Sequence, residues 1–402
     1  MPVEKITLTA SFKVDLTDVD EATISEIYRL FDEYREIVNE LIEYAHLHKI
    51  INHIRLCHAK YHELRQKHPT LPSHYIVTAC HHAASINLSF IKLKKLGIHK
   101  KNRKKIPTFR KRMILLDDHL FRLDTENWKA SIALYNRRRI TLKLLHGRHH
   151  DKFKGMKPGE SCLVLKRDGN LYLDAAFTQT IMLPEISADA KIIAIDINEN
   201  TITYGNNDFT EKLETNEGII RTRYFLKYRK IQSKIRSKQL RRKLFEKYRG
   251  REQHRIREIY YKAAKKIINK AKETGATIII MEDIKHLNRK NKGSKELNGR
   301  LRRWSYRKFQ QILEYQAKLH GLNVKYINPA YTSIQCPACG NKLTPSKHRI
   351  RKCTKCGLEE DRDVIAVKNL VKRYHEEYMN TKTKPPSPDK CGEPAFPPKA
   401  SQ

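Results

Sequence analysis

The chain has 402 residues and carries 81 Lys or Arg against 44 Asp or Glu, a formal net charge of +37. The length allows two or three domains with cores of their own, and the charge is hard to hold in a compact fold unless a polyanion offsets it: nucleic acid first, an anionic membrane surface a distant second. No stretch is long and apolar enough to span a bilayer, and the start, MPVEKITLTASF, does not read as an export signal, so the expectation is a reducing cytoplasm, no membrane, and unpaired thiols.

From the N-terminus, Ile6, Leu8, Ala10, Phe12, Val14 and Leu16 alternate with polar residues, the period of a strand with one buried face. Ile24, Ile27, Leu30, Tyr34, Ile37, Leu41 and Tyr44 then recur at steps of three and four, the stripe of an amphipathic helix. A second helix is expected from Ser73, as N-cap, to about Leu96, before Gly97. A basic loop, Lys100 to Lys105, follows. Cys162 to Lys166 and Leu171 to Ala175 flank Asp168-Gly169 as a hairpin. Residues 1–185 therefore read as a small β domain with a helical insertion over about 20–110.

The pattern changes near residue 189. Ile192 to Ile195 form a short apolar run ending at Asp196, Asn198 to Asn200 suit a turn, and Thr201 to Tyr204 a return strand. Residues 221–250 hold 13 Lys or Arg and one acid, Glu246, so a very basic helical stretch is expected, with Tyr224, Tyr228, Ile231 and Ile235 as its apolar seam. Gly250 breaks it. Ile256, Tyr260, Ala263, Ile267 and Ala271 mark a further helix, ended by Gly275, and Ile278 to Met281 a buried strand ending at Glu282. A polar loop over 285–299 leads to a helix with Phe309, Ile312, Leu313 and Ala317, stopped by Gly321, and Val324 to Ile327 read as a strand. A segment with four cysteines interrupts this domain before a last helix following Asp363. The tail from about Met379 holds six of the fifteen prolines, and disorder is expected there.

Cys336 and Cys339 form one C-x-x-C and Cys353 and Cys356 a second, a spacing that suits four thiolates around one structural zinc; two disulfides are the rival reading. Four sulfurs leave such a metal no open position, so chemistry falls to carboxylates. Asp196 and Glu282 end buried strands, and Asp361 and Asp363 sit at a helix start. Carboxylates converging at strand ends make an oxygen-rich site for Mg²⁺ or Mn²⁺, and two such ions suit phosphodiester chemistry. Singly, each acid also reads as a turn residue or helix cap. The nineteen histidines, His81-His82 and His146 to His150 among them, show no paired metal spacing and read as surface and loop residues.

The segments IIAIDINENTITYG, ATIIIMEDI and TSIQCPACG…CTKCGLEEDRDVIAVKNL resemble the three RuvC motifs and zinc ribbon of TnpB, the OrfB protein of insertion sequences, long called a transposase and related to type V CRISPR effectors. The resemblance covers about 190–375 most strongly. It implies a multidomain α+β chain: a β-barrel-like wedge domain with a helical recognition insertion over 1–185, an RNase H-like (RuvC) α/β domain over 186–328 and 361–378, and an inserted four-cysteine zinc ribbon over 329–360. A disordered tail over 379–402 completes the expected layout. By the same resemblance Asp196, Glu282 and Asp363 are the catalytic acids that hold one or two Mg²⁺ ions. Cys336, Cys339, Cys353 and Cys356 hold Zn²⁺, and Asp361 is a cap or supporting group. Ile365 stands where the family commonly has Asn, Asn198 where it has Gly, and Asn369 is kept. Trp304 matches a family position and reads as a base-stacking or, more simply, a core aromatic. The implied function is RNA-guided cleavage of double-stranded DNA beside a short adjacent motif, with a transposon-derived guide RNA as partner. The alternatives are a nuclease-inactive RNA-guided DNA-binding regulator and a strand-transferring transposase. The basic run at 221–273, interleaved with Tyr224, Tyr228, Tyr248, Tyr260 and Tyr261, fits phosphate contact, or a solvated helix face with its tyrosines in the core.

Overall fold

The computed structural model describes residues 2–97, 106–166, 168–187, 189–284 and 294–383. The basic loop expected at 100–105, most of the polar loop and tail residues 384–402 lie outside these. The chain divides into two compact units, Lys5–Thr180 and Met1–Glu4 with Ile181–Gln402. Among the described residues no helix is long and apolar enough to cross a membrane.

The first unit opens with β1 (Val3–Asp15), in which Ile6, Leu8, Ala10, Phe12 and Val14 are buried and their neighbours are not, as the alternation requires. Three helices follow: α1 (Glu21–Leu47), α2 (His53–Lys67) and α3 (Ser73–Lys95). The Asp20 carboxylate starts α1 by accepting from the Thr23 amide at 2.8 Å. Its stripe from Ile27 through Leu30, Tyr34, Ile37 and Leu41 to Ala45 is buried, and truncating Leu41 to Ala would cost about 2–5 kcal/mol. The sequence reading missed α2. Its buried face is only Leu56, Lys60 and Leu64, too thin and too polar a stripe to register, and the Asn52 side chain caps it. The N-cap of α3 is Pro72, one residue before the expected Ser73.

Four strands that the sequence did not announce come next: β2 (Met113–Leu116), β3 (Phe121–Asp124), β4 (Lys129–Ala133) and β5 (Arg139–Leu145). They are short, and tight turns such as Asn136-Arg137, both at positive φ, break their pattern. The hairpin is present as β6 (Ser161–Leu165) and β7 (Leu171–Met182), with Leu165 opposite Leu171. The seven strands order as β2-β6-β7-β1-β5-β4-β3. Two histidines correct the surface reading. His82 is buried beneath Phe109, with ring centroids 4.5 Å apart. His150 is buried against Phe12 at 4.3 Å. His82 fills an apolar position with a flat ring, while His150 also accepts from the Gly147 amide at 3.0 Å and meets Ser11 O at 3.3 Å.

The second unit is built on β8 (Ile192–Ile197), β9 (Thr201–Gly205) and β10 (Thr210–Glu214), an antiparallel meander whose third strand the sequence reading lacked. Helices α4 (Glu217–Lys234), α5 (Lys238–Tyr248) and α6 (Arg251–Thr274) follow. The basic stretch is thus two helices, not one: it breaks at Ile235, and the Ser237 hydroxyl caps α5. Helix α6 ends at Gly275, whose φ of +69° favours glycine. Strand β11 (Ile278–Glu282) returns to the sheet, then come α7 (Lys295–Arg303), α8 (Tyr306–Leu319) and β12 (Asn323–Ile327). The sheet order is β10-β9-β8-β11-β12, with β11 parallel to both β8 and β12. The cysteine segment carries β13 (Thr344–Lys347), β14 (Ile350–Lys352) and β15 (Glu359–Asp361) as a separate small sheet. Helix α9 (Arg362–Thr383) closes the described chain, so the start of the tail expected to be disordered is helical as far as Thr383.

Candidate active site and metal centre

Alternation along two parallel strands brings the acids together. In β8, Ile193 and Ile195 face the core formed with α6 and α8, while Ile192 and Ala194 face α9. In β11, Ile279 and Met281 share the first face, Ile278 and Ile280 the second. The next residues on the α9 side are therefore Asp196 and Glu282, and the register of Met281 opposite Ile195 sets them side by side at the carboxyl ends of neighbouring strands. Asp363 meets them from the first turn of α9, the helix whose Val367, Leu370, Val371 and Tyr374 cover that face.

The three positions are chemically distinct. Asp196 is buried, and burial together with the Glu282 and Asp363 carboxylates pushes its pKa well above the usual range; the Asn198 amide, donating at 2.6 Å, offsets part of this. Glu282 is also pushed up by burial, and the Thr332 hydroxyl, Arg373 and Arg362 hold it back. Asp363 is 1% exposed. It takes an ion pair from Arg349 and another from Lys212 at 3.0 Å, while its buried Oδ1 accepts no hydrogen bond and has only Arg362 Nε 3.9 Å away. A buried carboxylate oxygen that accepts no hydrogen bond, beside two raised carboxylates, is a donor set that a hard divalent cation would satisfy. Among the described residues the three carboxylates do not all close to within 4.8 Å of one another. Asp361 does what a cap does: its Oδ1 accepts from the Asp363 amide at 2.7 Å.

The four cysteines do converge, with all sulfurs within 4.8 Å. Cys336 Sγ lies 3.6 Å from Cys356 Sγ, and Cys339 Sγ 3.4 Å from Cys353 Sγ. Sulfurs held tetrahedrally at about 2.3 Å from one zinc ion stand roughly 3.8 Å apart, so the set fits zinc with little adjustment. The two knuckles repeat one backbone design. Gly340 and Gly357 follow the second cysteine of each pair at φ of +75° and +78°. Their amides bond back to Cys336 O and Cys353 O. The Cys356 amide aimed at Cys353 pulls that thiol down to about 6. Against the pull of the Leu358 amide, the neighbouring sulfurs of Cys353 and Cys336 push Cys356 up to about 12, as expected of four sulfurs crowded together. No disulfide joins cysteines among the described residues.

The departures from the family pattern acquire physical roles. Ile365 is fully buried in a cluster with Cys336, Leu343 and Cys353, so it fastens α9 to the cysteine segment by apolar packing. Asn198 is the residue bonded to Asp196. Trp304 packs partly buried against the main core, its ring 5.1 Å from Tyr306, which favours the core reading. Tyr260 is core, Tyr261 is exposed, and the ring of Tyr248 carries Lys227 at 3.9 Å. Sequence reasoning missed Thr332, Arg349 and Lys212. Thr332 acts on Glu282 fifty residues away and Lys212 on Asp363 across most of the second unit, and even Arg349, fourteen residues from Asp363, reaches it from the turn of a separate small sheet, so no local pattern marks such pairs.

The architecture and the site together define a mixed α/β multidomain protein with a four-cysteine cluster. A family model described as Cas12f1-like, TNB domain, matches residues 306–370, and one described as Uncharacterized protein MJ0013 family matches residues 30–132. The chain is similar in fold to a chain of the cryo-EM structure of a Cas12f1-sgRNA-target DNA complex, with a TM-score of 0.58 and 14% identity, over 91% of this chain and 99% of that one. It is 34% identical over 107 residues to the CRISPR-associated endodeoxyribonuclease Cas12f1 of Sulfoacidibacillus thermotolerans, across 26% of this chain and 24% of that protein. It is 41% identical over 191 residues to the TnpB-like protein MJ0751 of Methanocaldococcus jannaschii, across 45% of this chain and 68% of that protein. The chain belongs to the TnpB-like family.

Proposed function

We propose that this chain is an RNA-guided, Mg²⁺-dependent DNA endonuclease whose second unit is an RNase H-like domain. The observation that carries this reading is the approach of Asp196, Glu282 and Asp363 on one face of the sheet, near enough for the charge of the other two to bear on Asp196. Asp196, Glu282 and Asp363 would hold the magnesium, and Cys336, Cys339, Cys353 and Cys356 a structural zinc. When bound, magnesium supplies positive charge against the scissile phosphate and lowers the pKa of an attacking water. The chain's own contribution is to hold three carboxylates in a poorly solvated corner. There their charge is costly until a cation offsets it. Arg349 and Lys212, now on Asp363, are cations that such binding would turn away from it toward substrate phosphate.

The partners follow from charge and from the family. A guide RNA from the transposon end would pair with the target strand, and the chain would supply cationic surfaces for both backbones. Two described clefts suit that task. One of about 930 Å³ in the first unit is lined by Arg35, Arg110, Lys111, Arg112 and Lys166. One of about 550 Å³ in the second is lined by Lys238, Arg241, Arg242 and Arg249 with Tyr228. In this reading 1–185 is the wedge domain with its helical recognition insertion, 186–328 with 361–378 the nuclease domain, and 329–360 the zinc ribbon.

The test is cleavage of a guide-matched duplex library with randomised flanks by protein co-expressed with its element end, with Asp196→Asn and Glu282→Gln beside it. Product that needs Mg²⁺ and vanishes in both variants, while RNA binding persists, is the expected result. Guide-directed binding with no product from the intact chain would move it to the non-cleaving regulators. Joined strands would make it a transposase.

A further inference from the structure

Glu282 is the acid least fixed by its own backbone. It stands at the end of β11, is only partly buried, and has three side-chain torsions to order before it can hold a metal. What fixes it comes from elsewhere in the chain. The Thr332 hydroxyl, buried at 3% exposure, lies 2.9 Å from Glu282 Oε1 and 3.0 Å from Pro329 O. Its single proton has two acceptors within reach, and the carboxylate is the stronger. Thr332 is in turn held. The Asn369 amide, also buried, spends both of its protons on this segment: it donates to Thr332 O at 2.7 Å and to Gln335 O at 2.7 Å. Gln335 immediately precedes Cys336, the first cysteine of the cluster, and Asn369 stands on α9, the helix that carries Asp363. One helix therefore places Asp363 directly and Glu282 through Asn369 and Thr332.

Building on the nuclease reading, we propose that Thr332 is a positioning residue for Glu282, aimed by the double hydrogen bond from Asn369 and anchored by the first cysteine knuckle. Its task is to hold the Glu282 carboxylate in the rotamer that faces Asp196 and Asp363, so that a divalent cation meets a preset ligand. Outer groups that orient metal ligands commonly change metal affinity ten- to a hundredfold when removed.

The test is Mn²⁺ binding to the full-length chain, followed by the loss of the free-ion electron paramagnetic resonance signal. It compares the intact protein with Thr332→Val, Thr332→Ser and, as control, Glu282→Gln. Val keeps the shape and removes the hydroxyl; Ser keeps the hydroxyl and removes the methyl. The Glu282-dependent Mn²⁺ affinity should fall about tenfold or more in Thr332→Val and return to within about twofold in Thr332→Ser, with zinc content unchanged in both. Unaltered affinity in Thr332→Val would overturn the proposal. So would an equal loss in both variants, which would make the methyl packing the cause, and so would the absence of any Glu282-dependent binding in the intact chain. Because the readout is not cleavage, the two readings fail separately. The expected Mn²⁺ pattern in a chain that cuts no matched duplex would refute the nuclease and leave Thr332 as assigned.

Discussion

Glu217 is a buried carboxylate, 2% exposed, that ties three elements of the second unit together. Its Oε1 accepts from Arg221 Nε at 2.6 Å, Ser305 N at 3.0 Å and Ser305 Oγ at 3.3 Å, and its Oε2 accepts from the Tyr260 hydroxyl. Arg221, with its side chain 11% exposed, also pairs with Glu252 at 2.8 Å. Glu217→Ala strips the donors of Arg221, Tyr260 and Ser305 of their shared acceptor and leaves a guanidinium poorly solvated, at an expected cost of about 3–5 kcal/mol. Glu217→Gln keeps an acceptor toward Arg221 and Ser305 and an amide group that can meet the tyrosine oxygen. It loses charge alone, with Glu252 still in place, at about 1–2 kcal/mol. Removing Arg221 as well, in Glu217→Ala/Arg221→Met, should recover about 1 kcal/mol or more, because the orphaned charge goes with it. The assay can be confined to the right unit, since the chain's two tryptophans, Trp128 and Trp304, fall one in each. In a Trp128→Phe background, fluorescence during guanidinium unfolding reports Trp304, whose neighbour Ser305 is bound by Glu217. Equal costs for Ala and Gln, or a double variant no more stable than Glu217→Ala, would refute the argument that the buried charge is what the network serves.

Three further outcomes are expected. Cys353→Ser should lower the zinc content measured by a chromogenic chelator from one ion per chain and destabilise the packing of Ile365 on the cluster; full zinc retention would count against four-thiolate coordination. Burial, with His81 and Lys111 nearby, lowers the His82 pKa from its ordinary value to about 4. The unfolded chain therefore takes up the proton first as pH falls. The stability gained from neutral His82 is complete above pH ~6.5 and drains away toward pH ~4, a change of at most about 3 kcal/mol in the first unit. His82→Phe should flatten that part of its stability profile, and a slope unchanged by the substitution would assign it to other groups. At Gly205 an added Cβ would sit 2.1 Å from the Phe209 carbonyl oxygen, a backbone atom that cannot swing aside. Gly205→Ala should open the β9–β10 turn and lower the thermal midpoint of the second unit, visible again through Trp304.

Much of the second unit was readable along the chain. Ile192 to Ile195 and Ile278 to Met281 are runs apolar on every residue, and both proved to be strands buried on two faces. The stripe from Ile256 to Ala271 gave α6, and Gly275 and Gly321 marked helix ends because their positive φ is what glycine supplies cheaply. The elements that escaped carried weak local signals. Helix α2 shows three buried positions, one of them Lys60, and β10 is partly exposed along its length. Strands β2 to β5 are only four to seven residues long; β3, β4 and β5 pair in sequence, while β2 and β5 also depend on the distant β6 and β1.

The sequence by itself determined which residue types stand where: four thiols in two C-x-x-C pairs, and acids at the ends of apolar runs, Asp196 and Glu282, and at the start of a helix, Asp361 and Asp363. Those are local properties, written in spacing and in a period of two or 3.6 residues. Only the tertiary structure decided that Asp196 and Glu282 share a face, because that depends on the parallel register of β8 with β11. It alone decided that α9 brings Asp363 to them, that Ile365 fastens this helix to the cysteine cluster, and that Thr332 reaches Glu282 across fifty residues. Hydrogen bonds and ion pairs act over about 3–4 Å in space whatever their separation in the chain. The pairs they form are therefore set by how the sheet and helices close on one another.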